Sequence, residues 1–150
     1  MKENCGARFI EMNCPKCDGI LEPSQMGTLL VHVCPKCAGI WLRYGQLRQL
    51  LEMWCRGADF AQPRHQSFTN KGDRFTLNSD QIMGPCPVCP VHTYMLPEVR
   101  HLGTPLRIDY CPRGHGLWLD APEIRQIQSR LKNKGPEYPE AMSQILLDGR

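Results

Sequence analysis

Eight side chains stand at spacings that suit two metal ions. Cys14 and Cys17 form a Cys-Pro-x-Cys pair, and Cys34 and Cys37 form another after sixteen intervening residues. Cys86 and Cys89 repeat the pair, and Cys111 follows after twenty-one residues, with His115 four places beyond it. A thiolate pair supplies two corners of a tetrahedron, and a hairpin between two pairs brings the corners together. This chemistry predicts one zinc ion held by Cys14, Cys17, Cys34 and Cys37, and a second held by Cys86, Cys89, Cys111 and one histidine.

Two histidines compete for that last position. Aligning Trp118 with Trp41 places Gly114 where Cys37 stands and His115 one residue later. His115 preserves the hairpin and is the expected ligand; His92, three residues after Cys89, is the competitor. His32 lies two residues before Cys34, but four cysteines already complete that site, so it reads as strand surface. Tetrahedral sulfur also suits iron, which is the alternative occupant of the four-cysteine site. Cys5 reads as an incidental thiol and Cys55 as a helix-end residue.

The elements around these residues must aim them. Proline presets φ for a tight turn, and the glycines at 19 and 39 tolerate a left-handed one. Such knuckles direct backbone N–H groups at sulfur. Thr28 to Val33 and Arg107 to Tyr110 read as strands leading into Cys34 and Cys111, with Ile20-Leu21 and Ile40-Trp41-Leu42 as short strand candidates. Pro90-Val91 replaces Asp18-Gly19, so the third knuckle must turn differently. From Gln46 to Trp54 the period changes: Leu47, Leu50, Leu51 and Trp54 share a helix face, expected to cover Trp41. Asp120, Pro122 and Glu123 make a helix start with Asp120 as cap, and Ile124, Ile127 and Leu131 form that helix's apolar face.

The predicted organisation is therefore a small metal-stabilised α+β protein. Residues 12–54 form a first zinc ribbon plus helix and 83–131 a second, each an antiparallel β-hairpin with knuckles followed by a short helix. Residues 55–82 form a polar linker carrying Phe60, Phe68 and Phe75, and 132–150 a flexible tail in which Met142, Ile145 and Leu146 sit at helical spacing, as a short docking helix or a frayed end. Units of this size rarely fold without a staple, and zinc supplies one. An apparent binding energy of about 10–16 kcal/mol per structural site is folding energy.

Cys-Pro-x-Cys, hairpin, second knuckle, Trp-Leu and helix, in that order, resemble the transcription-factor-IIB-type zinc-ribbon family, in two tandem copies. Cys34-Pro35-Lys36-Cys37-Ala38-Gly39-Ile40-Trp41-Leu42 follows the family's second half closely, with Arg43 and Gln46 at its acidic positions. The second copy keeps Trp118-Leu119-Asp120 and Glu123-Ile124, and its Cys111-Pro112-Arg113-Gly114-His115-Gly116 resembles a histidine variant. The resemblance implies zinc binding, and related ribbons in transcription contact polymerase or nucleic acid.

Charge weighs against a strong nucleic-acid footprint. The formal net charge is +3. Seven ligand thiolates and two zinc ions bring it close to zero, and no basic block stands out. The N-terminus carries no signal-peptide pattern and no run is long enough to cross a membrane, so a reducing cytoplasmic setting is expected. Four protein ligands per zinc leave no open position for catalysis. The expected function is a non-catalytic adaptor binding a protein partner; the alternative is a nucleic-acid-binding or transcription-associated regulator, with the arginines and the aromatic linker as its contacts.

Overall fold

The computed structural model describes residues 11–56, 84–132, 134–135 and 137–147. The elements run β1 (Glu22–Met26), β2 (Leu29–Val33), β3 (Ile40–Leu42), α1 (Tyr44–Cys55), β4 (Leu96–His101), β5 (Pro105–Tyr110), β6 (Leu117–Leu119), α2 (Ala121–Leu131) and α3 (Tyr138–Leu146). The predicted 55–82 linker falls almost wholly outside the described residues, as do Cys5 and the linker phenylalanines.

All six strands join one antiparallel sheet in the order β1-β2-β3-β6-β5-β4. The two units expected from the repeat thus meet edge to edge. Their third strands pair, with Ile40 opposite Leu119, Trp41 opposite Trp118 and Leu42 opposite Leu117. A pseudo-twofold axis passes between the tryptophans. Extending the register outward gives one row across the whole sheet: Pro23, His32, Trp41, Trp118, Asp109 and Pro97. Directly opposed residues share a face, so this row defines one side of the sheet.

The period-2 alternation of strands then fixes which side the core takes. Val31, Val33, Ile40 and Leu42 of the first unit, with Leu106, Ile108, Leu117 and Leu119 of the second, belong to one buried cluster. The helices cover it with Leu47, Leu50, Leu51 and Trp54 from α1, and Ile124, Ile127 and Leu131 from α2. The apolar faces read from the sequence are the ones buried. Their target differs from expectation. Trp41 lies one residue out of phase with Ile40 and Leu42, so it points to the opposite face and packs with Trp118 and the cysteines. α1 covers its neighbours instead.

The predicted flexible tail contains α3, whose Met142 and Leu146 are fully buried in the helix-side core. The Tyr110 hydroxyl donates to the Leu146 carbonyl, tying α3 to β5. Three strands, β1, β4 and β6, have no counterpart among the strands expected above. β1 and β4 are the outer strands of the sheet, and each carries a proline at its second position, Pro23 and Pro97. Proline removes a donor from an edge and discourages pairing with another chain.

Candidate metal centres

On the tryptophan face, four short knuckles place the predicted ligands in two groups. Cys14, Cys17, Cys34 and Cys37 offer one sulfur each, all within 4.8 Å of one another; Cys86, Cys89 and Cys111 offer three sulfurs and His115 a ring nitrogen, gathered as closely. The Sγ atoms of Cys14 and Cys37 are 3.6 Å apart, and those of Cys17 and Cys34 are 3.4 Å apart. A zinc–sulfur tetrahedron with bonds of about 2.3 Å has edges of about 3.8 Å. The donor types and spacings therefore fit a zinc ion in each group. In the second, His115 turns Nδ1 to the sulfurs, 3.1 Å from Cys89 and 3.4 Å from Cys111.

The knuckle turns feed N–H groups to sulfur, as the proline and glycine positions predict. The amides of Lys16 and Val88 donate to Cys14 and Cys86 at 3.4 Å, and that of Gly19 to Cys17 at 3.3 Å. Each knuckle is also closed by a backbone bond. Cys14 N–H reaches the Gly19 carbonyl at 2.9 Å, whereas Cys86 N–H reaches the Thr93 carbonyl at 2.7 Å. Pro90-Val91 thus belongs to a loop two residues longer, which is how this turn differs.

The second-strand knuckles have equal length and different ligand placement. Cys34 N–H bonds the Gly39 carbonyl and Cys111 N–H bonds the Gly116 carbonyl, over the same five-residue step. In the first, Cys37 is the ligand and Ala38 takes the left-handed conformation at φ 63°. In the second, Gly114 takes it at φ 83° and His115 is the ligand candidate. The left-handed residue moves back one place and the ligand forward one. His92 is exposed and stacks edge-on against Tyr94 at 4.9 Å, outside the group. His32 lies in the sheet row beside Trp41 and belongs to neither donor group. No protein acceptor for His115 Nε2 occurs among the described residues.

Without metal, thiols sharing one cage divide their protons. Hydrogen bonding with Cys17 pushes the Cys14 thiol up, and hydrogen bonding with Cys14 pushes Cys37 up. Hydrogen bonding with Cys14 draws Cys17 and Cys34 down. Burial pushes Cys86 up to about 12. Burial acts the same way on Cys111, but backbone donors from His115 and Arg113 and the side chains of His115 and Cys86 outweigh it and bring that thiol down to about 7. Metal uptake must expel the protons that Cys14, Cys37 and Cys86 retain.

A buried ion-pair group centred on Lys16 crosses between the two halves of the sheet and has no counterpart among the expectations above. Lys16, between two ligands of the first group, sends Nζ to Asp109 Oδ2 at 2.5 Å, with Asp120 Oδ2 at 4.0 Å; its side chain is 2% exposed. Asp120 was expected to cap α2, but its carboxylate makes no cap bond. Oδ1 instead accepts from Trp118 Nε1 at 2.7 Å. The available signal was comparative: Asp109 and Asp120 occupy the positions that His32 and Arg43 hold in the first unit.

Residues 13–53 match the family model described as transcription factor zinc-finger, the TFIIB-type zinc ribbon. That match covers the first unit; the second donor group lies outside it. No curated protein and no solved structure matches the chain.

Proposed function

We propose that the protein is a non-catalytic zinc-ribbon adaptor that binds a protein partner. The observation that carries this reading is the completeness of both donor sets. Each group offers four protein ligands. A catalytic zinc keeps a position for water or substrate, whereas a structural site is closed by four protein ligands. The metal's role is then to hold the ribbons, and the ribbon surfaces act. The second unit's first knuckle supports a protein-facing surface: Val88, Val91 and Tyr94 are exposed there. Exposed cations such as Lys36 and Arg48 are matched by Asp18 and Glu52, which favours a protein over a polyanion. No helix among the described residues is long and apolar enough to cross a membrane. A cytoplasmic, reducing setting suits eight free thiols among those residues.

The transcription factor zinc-finger match favours a second reading, a nucleic-acid-binding or transcription-associated regulator. Fluorescence anisotropy of labelled single- and double-stranded DNA and RNA separates the two. The adaptor reading predicts no binding at low salt. Tight binding that weakens steeply with salt and disappears on chelation supports the second reading.

A further inference from the structure

Two of the contacts that the first knuckle makes with the second unit lie two residues from a ligand of the second donor group. Lys16 Nζ meets Asp109, two residues before Cys111. The Pro15 carbonyl lies over Gly84, two residues before Cys86, so closely that a Cβ on Gly84 would occupy the same space. Pro15 and Lys16 are themselves the residues between Cys14 and Cys17, so their positions depend on the turn that those ligands close. The Lys16 amide also bonds the Cys14 sulfur.

Behind these contacts lies a shared apolar cluster. Cys14, Cys34, Trp41, Cys86, Cys111 and Trp118 are buried together. Gly39 leaves room for the Trp118 ring, and its counterpart Gly116 leaves room for Leu42 and Trp41. Each ribbon therefore needs the other in place.

We infer that the two metal sites bind zinc cooperatively, with Lys16 as the positioning residue that couples them. This rests on zinc occupying both groups. Metal at the first site fixes the Cys14–Cys17 turn and holds the Lys16 ammonium between Asp109 and Asp120. Loss of that metal frees the turn and withdraws the ammonium from the buried Asp109 carboxylate. A buried charge that loses its partner is strongly destabilising, so the β5–β6 ribbon that carries Cys111 loosens. By linkage, metal at the second site must favour metal at the first by the same factor.

The test measures metal affinity of the second site in full-length protein. Cobalt(II) serves as probe, because three sulfurs and one nitrogen give a different ligand-field spectrum from four sulfurs; zinc displacement then gives the zinc affinity. Four proteins are compared: wild type, Cys37→Ala, Lys16→Met, and the double variant. Cys37→Ala disables the first site only, and Lys16→Met keeps every ligand while removing the ammonium. Coupling predicts at least a tenfold loss of second-site affinity in Cys37→Ala, a loss in Lys16→Met, and a double variant little worse than Cys37→Ala alone. Second-site affinity in Cys37→Ala within twofold of wild type overturns the inference. A loss in Cys37→Ala with none in Lys16→Met overturns the role of Lys16. A wild-type protein that takes no cobalt or zinc at the second site contradicts the two-zinc reading itself, a distinct result.

Discussion

The first Cys-Pro-x-Cys knuckle buries a lysine against the neighbouring strands, whereas the third leaves a valine exposed at the matching place. Lys16 and Val88 occupy the same position in their Cys-Pro-x-Cys knuckles, yet Lys16 is 6% exposed and Val88 is 40% exposed. The residues they would meet across the pseudo-twofold differ as well. Lys16 meets Asp109 and Asp120; Val88 has His32 and Arg43 as the corresponding pair. Two copies of the first ribbon would bring lysines toward a histidine and an arginine. Two copies of the second would leave the buried Asp109 carboxylate facing no lysine. The strand order is symmetric about the β3–β6 pair, but the charges on its two sides favour pairing of unlike halves, a use of repulsion as well as attraction to select a partner.

The largest effects should come from breaking the metal sites. Chelation removes about 10–16 kcal/mol of apparent folding energy per site. It should abolish the cooperative unfolding transition seen by circular dichroism and return the buried Trp41 and Trp118 to water, with a red-shifted fluorescence. A transition unchanged by chelator would mean that the sheet stands without metal.

Lys16→Ala comes next. Removing one partner of a buried ion pair costs about 3–5 kcal/mol, whereas Val88→Ala at an exposed position should cost less than about 1 kcal/mol. Denaturant melts of the two zinc-loaded variants check this. Equal losses would erase the asymmetry between the knuckles. Gly39→Ala should cost about 1–3 kcal/mol, because the added methyl group would collide with the Trp118 ring. Gly45→Ala, with nothing near the new atom in a helix, should gain about 0.5–1 kcal/mol.

The smallest effects concern the exchanged ligand and left-handed residue. Ala38 holds φ 63°, a conformation costing a residue with a Cβ roughly 1–2 kcal/mol. Ala38→Gly should therefore stabilise the first ribbon by up to about 1 kcal/mol once the looser unfolded chain is counted. Gly114→Ala should destabilise the second by a similar amount. Thermal melts that move in the same direction for both changes would contradict the one-place exchange.

The sequence shows the donor groups because metal chemistry permits few ligand types and spacings. It shows the helix faces because Leu47, Leu50, Leu51 and Trp54 follow the helical period. β1 and β4 escape a reading based on apolar alternation: Glu-Pro-Ser-Gln-Met and Leu-Pro-Glu-Val-Arg-His are edge strands with polar residues and a proline. The pairing of β3 with β6 escapes it for another reason. Strands of three residues, buried throughout, do not reveal which face meets the helix, so the expected cover of Trp41 by α1 does not follow from their pattern. Lys16 was hidden by its type, since a lysine in a tight turn ordinarily faces water. Comparing the two copies position by position would have exposed the lysine on one and the two aspartates on the other.

Metal stoichiometry is the most direct check on two four-donor sites, the second completed by His115. Native mass spectrometry of freshly purified wild type, His115→Ala and His92→Ala counts the metal directly. It should find two zinc ions in wild type and in His92→Ala, and loss of one ion in His115→Ala. A single zinc in wild type, or a loss caused by His92→Ala while His115→Ala keeps both, would contradict that assignment.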